Sequence, residues 1–261
     1  MDIKLLKDPE EIEKMIPVIK SAWNAENIET SFKDTIASMR YHGGILLGAY
    51  QDDEMVGMLF SYPGYKNGKT YLYSHMTGVK NDQKYHDIGY QLKMKQRDIA
   101  QKMGYDLIAW TFDPFNPLNA YFNISKIGAF SRTYIHNFYG RMEDGINRGM
   151  RSDRLVAEWW INKHLDRSYE KIDFLNTIED GRCVIKNVKN GSNLGFLMPV
   201  NMDPLRHDPE LADEWKNIAE ATFNDLFSTG HAIIDYVRKD INYYVFKKTS
   251  KMPDKIFDNH V

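Results

Sequence analysis

The stretch from Tyr71 to Ala129 constrains the fold most strongly, because it alternates strand-like runs with helical patterns. Thr70 to Val79 is rich in aromatic and β-branched residues, and Asp106 to Phe112 is apolar enough for a strand buried on both faces. Between them, Asp87 to Met103 has helical spacing, and Gly104 follows as a C-cap. This order predicts a right-handed crossover and a parallel strand pair. The helix N-terminus, with its free N–H groups and partial positive charge, then offers a site for an anion.

Other segments predict the remaining elements. Strands are expected from Ile3 to Leu6 and in an antiparallel meander over residues 45–50, 55–62 and 70–79. Helices are expected after Asp8-Pro9, from Thr30 or Ser31 to Arg40, and over residues 116–127 and 209–227. Later strands are predicted over residues 129–139, 155–161 and 241–247, and residues 183–188 and 194–200 are expected to pair as a hairpin. In the helix after Asp87, the apolar stripe is predicted to be Ile88, Leu92, Ile99 and Met103, with Lys93 off it.

Composition excludes several classes of protein. The 261 residues are 43% hydrophobic, so a sizeable core is expected. The 34 basic side chains do not outnumber the 36 acidic ones, which argues against a protein that binds nucleic acid or an anionic membrane. The one cysteine, Cys183, allows no intrachain disulfide and is read as structural, and a cytoplasmic location is expected. The histidines lack the spacing of a zinc site, so no metal is predicted. The aromatic content leaves room for a homodimer interface.

The element order over residues 1–140 resembles that of the GCN5-related N-acetyltransferase (GNAT) superfamily. The sequence words Trp110-Thr111-Phe112-Asp113-Pro114 and Asn119-Ala120 resemble a subgroup of predicted acyltransferases with a C-terminal extension. The resemblance implies an α/β (α+β) fold, with a mixed, mostly antiparallel sheet flanked by helices. It also implies an acyl-CoA-binding domain over residues 1–140 and an α/β extension over 141–261. The polar stretch over residues 166–171 predicts the boundary of the extension's independent part.

The same resemblance implies acetyl-CoA or another acyl-CoA as co-substrate. The loop before the helix would hold the pyrophosphate, although Lys84 replaces the usual arginine or glutamine and Asp87 replaces a glycine. A polar turn that only caps the helix is the alternative. The end of the preceding strand is expected to splay, so that its backbone pairs with pantetheine and the thioester, and amides of the next helix would help. The residues assigned to this binding are Met76, Thr77, Gly78, Val79, Lys84, Tyr85, His86, Asp87, Ile88, Gly89, Tyr90, Asn119 and Asn123.

The catalytic groups are less complete. His75 is a candidate general base, because imidazole titrates near neutral pH; a structural histidine is the alternative. The family's acidic tyrosine falls at Ile124 in this sequence, so only Tyr121, one turn earlier, is left as a candidate acid.

The acceptor site is predicted around Asp113, Arg151 and Arg154. Arginine forks match carboxylates, although an internal ion pair between these arginines and Asp153 is a simpler account. The function expected is N-acyl transfer to a small-molecule amine by direct attack on the thioester. The alternative is a non-catalytic member of the same fold that binds acyl-CoA or another protein.

Overall fold

The computed structural model describes residues 1–23, 31–82, 87–141, 150–163, 165–187, 191, 193–248 and 252–259. They form two compact units, Met1–Trp110 with Trp160–Asn162, and Thr111–Trp159 with Lys163–Val261. These units are groups of residues in mutual contact, so the predicted domain limit at residue 140 stays a prediction. No helix in the described ranges is both long and apolar enough to cross a membrane.

The first unit is built on a mixed sheet with the strand order β1-β2-β3-β4-β5. Its pairs are antiparallel except for β4 and β5, which run parallel as the crossover predicts. The predicted N-terminal strand and meander are therefore confirmed. The strands are β1 (Asp2–Leu5), β2 (Ile45–Gln51), β3 (Glu54–Lys66), β4 (Lys69–Val79) and β5 (Leu107–Phe112).

Helices cover both faces of this sheet. Met15, Val18 and Ile36 of the N-terminal helices pack with Met58 and Phe60 of β3 in one hydrophobic cluster. The alternate residues of β3 face the crossover helix, as expected for a strand. The helices are α1 (Pro9–Glu13), α2 (Met15–Trp23), α3 (Ser31–Tyr41) and α4 (Ile88–Lys102).

The predicted stripe of α4 is wrong at two positions. Ile88 and Leu92 are buried as expected, but Met103 is 47% exposed. Lys93, expected off the stripe, is instead buried, at 3% exposure. A polar group inside the unit can hold it there, which a count of apolar residues does not reveal.

The second unit contains a sheet with the order β12-β13-β11-β8, covered by the long helix α7. The ring of Phe223 on α7 lies 5.1 Å from Phe196, 5.5 Å from Tyr244 and 4.9 Å from Phe246, between ring centroids. Two antiparallel pairs, β6 with β7 and β9 with β10, complete the strands. The elements are α5 (Pro117–Ala120), a π-helix (Tyr121–Lys126), β6 (Tyr134–Ile135), β7 (Arg154–Trp160), β8 (Asp173–Phe174), β9 (Asn176–Glu179), β10 (Arg182–Ile185), β11 (Asn193–Met198), α6 (Asp203–His207), α7 (Pro209–Ser228), β12 (His231–Arg238) and β13 (Asn242–Lys248).

Two predictions in this unit are wrong. The expected strand over residues 129–139 shrinks to β6, because Phe130 bridges to Glu158 whereas Ser131 bridges to Ile233. The expected hairpin between residues 183–188 and 194–200 does not form, since β10 pairs with β9 and β11 with β13 and β8. The other predicted strands and helices of this unit are present, with ends shifted by a residue or two and with the helix over residues 116–127 split into α5 and the π-helix.

Candidate active site

Strands β4 and β5 separate in the first unit. Their registers are Leu72 with Ile108 and Tyr73 with Ala109, and no later described residue of β4 pairs with β5. On its other edge β4 stays paired with β3 as far as Val79. One edge of the β4 segment 74–79 is therefore open, as the resemblance implies for the end of this strand.

His75 is the extra residue of a β-bulge in β4. Met76 pairs with Phe60 and Ser74 pairs with Ser61, so His75 has no counterpart on β3. A bulge bends the strand and redirects side chains next to it, and bulges are over-represented beside active sites. The sequence carries no signal for this irregularity, because Tyr71 to Val79 contains neither an interrupting proline nor a glycine at the bulge.

The His75 side chain is exposed among aromatic rings. Its ring centroid lies 5.9 Å from those of Phe60 and Tyr62, and 6.0 Å from that of Tyr73. Partial loss of hydration lowers the pKa of His75 from its ordinary value. The imidazole is therefore neutral at pH 7, the form in which it can accept a proton.

The N-terminus of α4 follows the open edge of β4 in the chain. Asp87 occupies the N-cap position, but its carboxylate makes no capping hydrogen bond. The first N–H groups of the helix, from Ile88 to Tyr90, have no carbonyl partner four residues earlier within the helix. The predicted phosphate-loop residues Lys84, Tyr85 and His86 lie outside the described residues.

Gly78 is required by its neighbours. A Cβ atom at this position would lie 2.4 Å from Cζ3 of Trp23, on α2, and 3.1 Å from Cβ of Ala22. Glycine therefore lets the end of α2 cover this part of β4.

A buried polar cluster below the bulge was not predicted. Lys93 Nζ donates a 2.8 Å hydrogen bond to Ser74 Oγ, which also accepts one of 3.0 Å from Gln96 Nε2. The same ammonium lies 3.8 Å from the centroid of the Trp110 ring. Ser74 and Trp110 directly follow the last paired residues of β4 and β5, so the cluster marks the point where the strands part.

Burial lowers the pKa of Lys93 to about 7. Among the described residues, no carboxylate lies within salt-bridge distance of this ammonium, so hydration is lost without a full counter-charge. The sequence shows that Lys93 and Gln96 lie about one turn apart on α4, but only the contacts show that both are buried.

The predicted amides of the second unit differ in environment. Asn116 caps α5, its Oδ1 accepting from Asn119 N at 3.1 Å, so the capping residue is Asn116 and not Asn119. Asn119 is exposed, whereas Asn123 is buried. The turn is wider after Ala120, where the helix continues in π geometry, a feature often found at functional sites.

The candidate acids of this helix are also separated. Ile124 is fully buried, and Tyr121 is 43% exposed. Tyr121 lines a groove with Ser125, Tyr169 and Asp235. Its hydroxyl is thus accessible, but it does not line the cavity that contains Asp113.

The structure brings Asp113, Arg151 and Arg154 together in one cavity of the second unit. Arg151 is paired with Asp153 through two hydrogen bonds of 2.7 and 2.8 Å, so the internal ion pair considered for this arginine is present. Arg154 instead donates to the carbonyl of Asp153 at 2.8 Å and lies over the ring of Tyr139.

The remaining chemical groups fit a structural role. Cys183 is buried, accepts a 3.2 Å contact from Asn176 Nδ2, and has its pKa raised to about 11 by burial. Within the described parts of the chain, no group of three or more histidine, cysteine or acidic residues is arranged to hold a metal ion.

Comparison with known proteins supports the architecture. No protein-family model matches the chain, and no curated protein matches it in sequence. Its fold is similar to that of an aminoglycoside 6'-acetyltransferase type Ii, with 18% identity, 63% of this chain and 100% of that chain covered, and a TM-score of 0.51. It is also similar to the ribosomal-protein-S18-alanine N-acetyltransferase from Escherichia coli, with 16% identity, coverage of 65% and 99%, and a TM-score of 0.50.

The chain has the GNAT fold. The predicted fold class, a mixed and mostly antiparallel sheet flanked by helices with a further C-terminal sheet, is confirmed. Structural similarity at such low identity establishes the fold but not the substrate, because one fold serves many functions.

Proposed function

We propose that the protein is an acyl-CoA-dependent N-acyltransferase that moves an acetyl or other short acyl group to the amine of a small molecule. The observation that carries the proposal is the open edge of β4 after Tyr73, followed in the chain by the N-terminus of α4, where the Asp87 side chain makes no capping hydrogen bond. The GNAT fold supports it, because of the two structural neighbours named above one is an acetyltransferase and the other an N-acetyltransferase by name.

The residues at this position fit an acyl-CoA. The first N–H groups of α4, from Ile88 to Tyr90, suit a pyrophosphate, and the Asp87 side chain does not cap the helix. The open edge from Met76 to Val79 suits the amide groups of pantetheine. Acyl-CoA supplies an activated thioester, so the protein need only position the amine and assist proton transfer.

The chain's own groups would assist in two ways. Neutral His75 takes the proton that the acceptor amine must lose. Backbone N–H groups of Met76 to Gly78 on the open edge stabilise the negative charge that develops on the thioester oxygen. Because Ile124 has no proton to give, the departing thiolate takes its proton from water.

The test is release of free thiol from acetyl-CoA and from succinyl-CoA with a panel of amines. The protein contributes little background, because its single cysteine is buried and has a raised pKa. Calorimetric titration with CoA gives a second readout. Binding without turnover for every donor and amine would favour the non-catalytic alternative, and no binding of CoA at all would overturn both.

A further inference from the structure

A cavity of about 70 Å³ lies within the second unit, beside the loop that leaves β5. The residues before β7 and the helices α6 and α7 form its other walls. Much of its lining is apolar and itself buried, with each of these side chains less than a tenth exposed. This apolar part consists of Phe115, Met150, Met202, Leu205 and Ala212.

Arg151, in one wall of the cavity, is held in place by hydrogen bonds to other residues of the second unit. All three nitrogen atoms of the Arg151 guanidinium are used, Nε and Nη2 by Asp153 and Nη1 by Asn217 at 2.7 Å. Asp153 in turn accepts from the Tyr134 hydroxyl at 2.5 Å and from the backbone N–H of Asn137 at 3.0 Å. Arg151 is therefore a structural part of the wall, and its charge is already balanced.

Two other cations in the lining are not balanced in this way. Lys216 is 7% exposed, and its Nζ donates a 2.6 Å hydrogen bond to the backbone carbonyl of Arg151. Arg154 donates to a backbone carbonyl as well. In the described parts of the chain, neither has a carboxylate within 4 Å, whereas Arg206, the remaining cation of the lining, pairs with Asp203 at 3.0 Å.

Asp113 places a single carboxylate in the same cavity. Its Oδ1 accepts a 2.8 Å hydrogen bond from Phe115 N, which fixes the side chain in the turn after β5. Desolvation lowers the pKa of Lys216, and the charge of Asp113 acts against that lowering, so the two groups lie within electrostatic range. With Arg154 and Lys216 positive and Asp113 negative, the unbalanced charge of the lining is about one positive unit.

We propose that this cavity binds an α-amino acid with a small apolar side chain, whose carboxylate contacts Lys216 and Arg154 and whose amino group contacts Asp113. Two cations suit a carboxylate and one carboxylate suits an ammonium group, because buried charges need opposite partners. The apolar wall suits the side chain. That this amino acid is the acyl acceptor rests on the proposed function; its binding does not.

The first experiment is calorimetry on the full chain without any acyl-CoA. The probes are L- and D-alanine, leucine and phenylalanine, each with its amide and with the carboxylic acid that lacks the amino group. We expect at least one free amino acid to bind, and its amide and its deaminated acid to bind at least about tenfold more weakly. Equal binding of the amide, or no binding across the panel, overturns the proposal.

The second experiment uses variants. Lys216→Met and Arg154→Met are each expected to weaken binding of the amino acid about tenfold or more, whereas Asp113→Asn weakens the amino acid but not its deaminated acid. Lys171→Met is the matched control, because Lys171 is 87% exposed and does not line the cavity. If the control and Lys216→Met behave alike, the proposal is wrong.

The outcomes separate this inference from the proposed function. A melting curve for each variant shows whether it is folded, and should Lys216→Met not fold, the Arg154 and Asp113 variants still decide. CoA binding and thiol release without amino-acid binding would leave the acyltransferase standing and remove this acceptor. Amino-acid binding without CoA binding would support the amino-acid site and remove the proposed acyltransferase function.

Discussion

His75 and Lys93 lie on opposite faces of the first unit's sheet, close to the point where β4 and β5 separate. His75 lies beside Phe60, which belongs to the cluster under the N-terminal helices, whereas Lys93 reaches Ser74 from α4. Loss of hydration lowers both pKa values, that of Lys93 to about 7, so the neutral form of each group is favoured. Each gives a different kind of prediction.

For His75 we predict an effect on rate. His75→Gln keeps a polar side chain but removes the base, so kcat/KM is expected to fall about 10²–10⁴-fold. In the unmodified protein, kcat/KM rises with pH as the imidazole loses its proton, with an apparent pKa below 6.5. The measurement is a pH profile of thiol release, and the variant should lack this acidic limb. Tyr73→Phe, which leaves the imidazole in place, should retain the limb.

For Lys93 we predict an effect on stability. Its pKa is about 7 when folded against an ordinary 10.5, so between these values the unfolded chain binds more protons. Stability therefore rises with pH across this window, by up to about 4 kcal/mol in total. Urea unfolding of the protein and of Lys93→Met at pH 7 to 9.5 should show a slope that the variant lacks.

The control for this prediction lies on the same helix. Lys95 is exposed, so Lys95→Met removes an equal charge without any buried ammonium and should keep the slope. Equal pH dependence in the protein and in Lys93→Met would mean that the folded amine is hydrated and titrates normally.

At the scale of elements, sequence patterns correctly predicted the features that depend on neighbouring residues, such as helix ends and turns. Gly104 ends α4 with a φ of +86°, and the meander and crossover follow from turns and hydrophobic spacing. Contacts distant in sequence decided the rest. The hairpin of β9 and β10, which was not predicted, had a local signal in the dipeptide Asp180-Gly181. Both residues have positive φ in the structure, as a two-residue type I′ turn requires. The bulge at His75 had none.

The candidate site divides in the same way. The order of elements was enough to place the N-terminus of α4, and the family resemblance implied the open edge of β4. The buried position of Lys93 and the gathering of Lys216 with Asp113 and Arg154 depend on residues far apart in the chain. Periodicity within one segment cannot supply such pairings.

A buried ion pair holds several elements of the second unit. Arg132 donates two 2.9 Å hydrogen bonds to Glu158 on β7, and others of 2.7 and 3.0 Å to the carbonyls of Pro253 and Asp254. We predict that Arg132→Met lowers the free energy of unfolding by about 3–5 kcal/mol, because it removes the cation that pairs with Glu158, a carboxylate with no exposed surface. Urea unfolding measures the loss.

Two further measurements test this explanation. The double variant Arg132→Met with Glu158→Leu should lose less stability than Arg132→Met alone, because it also removes the buried carboxylate that Arg132 pairs with. Carboxypeptidase should digest the C-terminal segment faster in Arg132→Met. A double variant as unstable as the single one would show that packing, and not charge, dominates.

At the scale of the whole molecule, the predicted limit at residue 140 crosses a packed core. Within the second unit, Ser131 pairs with Ile233 through backbone hydrogen bonds of 3.0 and 2.8 Å. The Tyr244 hydroxyl donates to the carbonyl of Pro114 at 2.7 Å. The segment after β5 thus depends on strands that come more than 100 residues later.

We therefore predict that a chain ended after Gly140 does not fold as an independent domain. It would keep β1 to β5 but lose the partners of Ser131 and Tyr134, and Tyr134 is almost fully buried against Phe223 in the whole protein. The shortened chain should unfold without a cooperative transition and should bind a hydrophobic dye. The full chain should unfold cooperatively and should not bind the dye. Cooperative melting of the shortened chain, with CoA binding equal to that of the full protein, would instead establish residues 1–140 as a complete domain, because the extension would then add nothing to the stability of the acyl-CoA site.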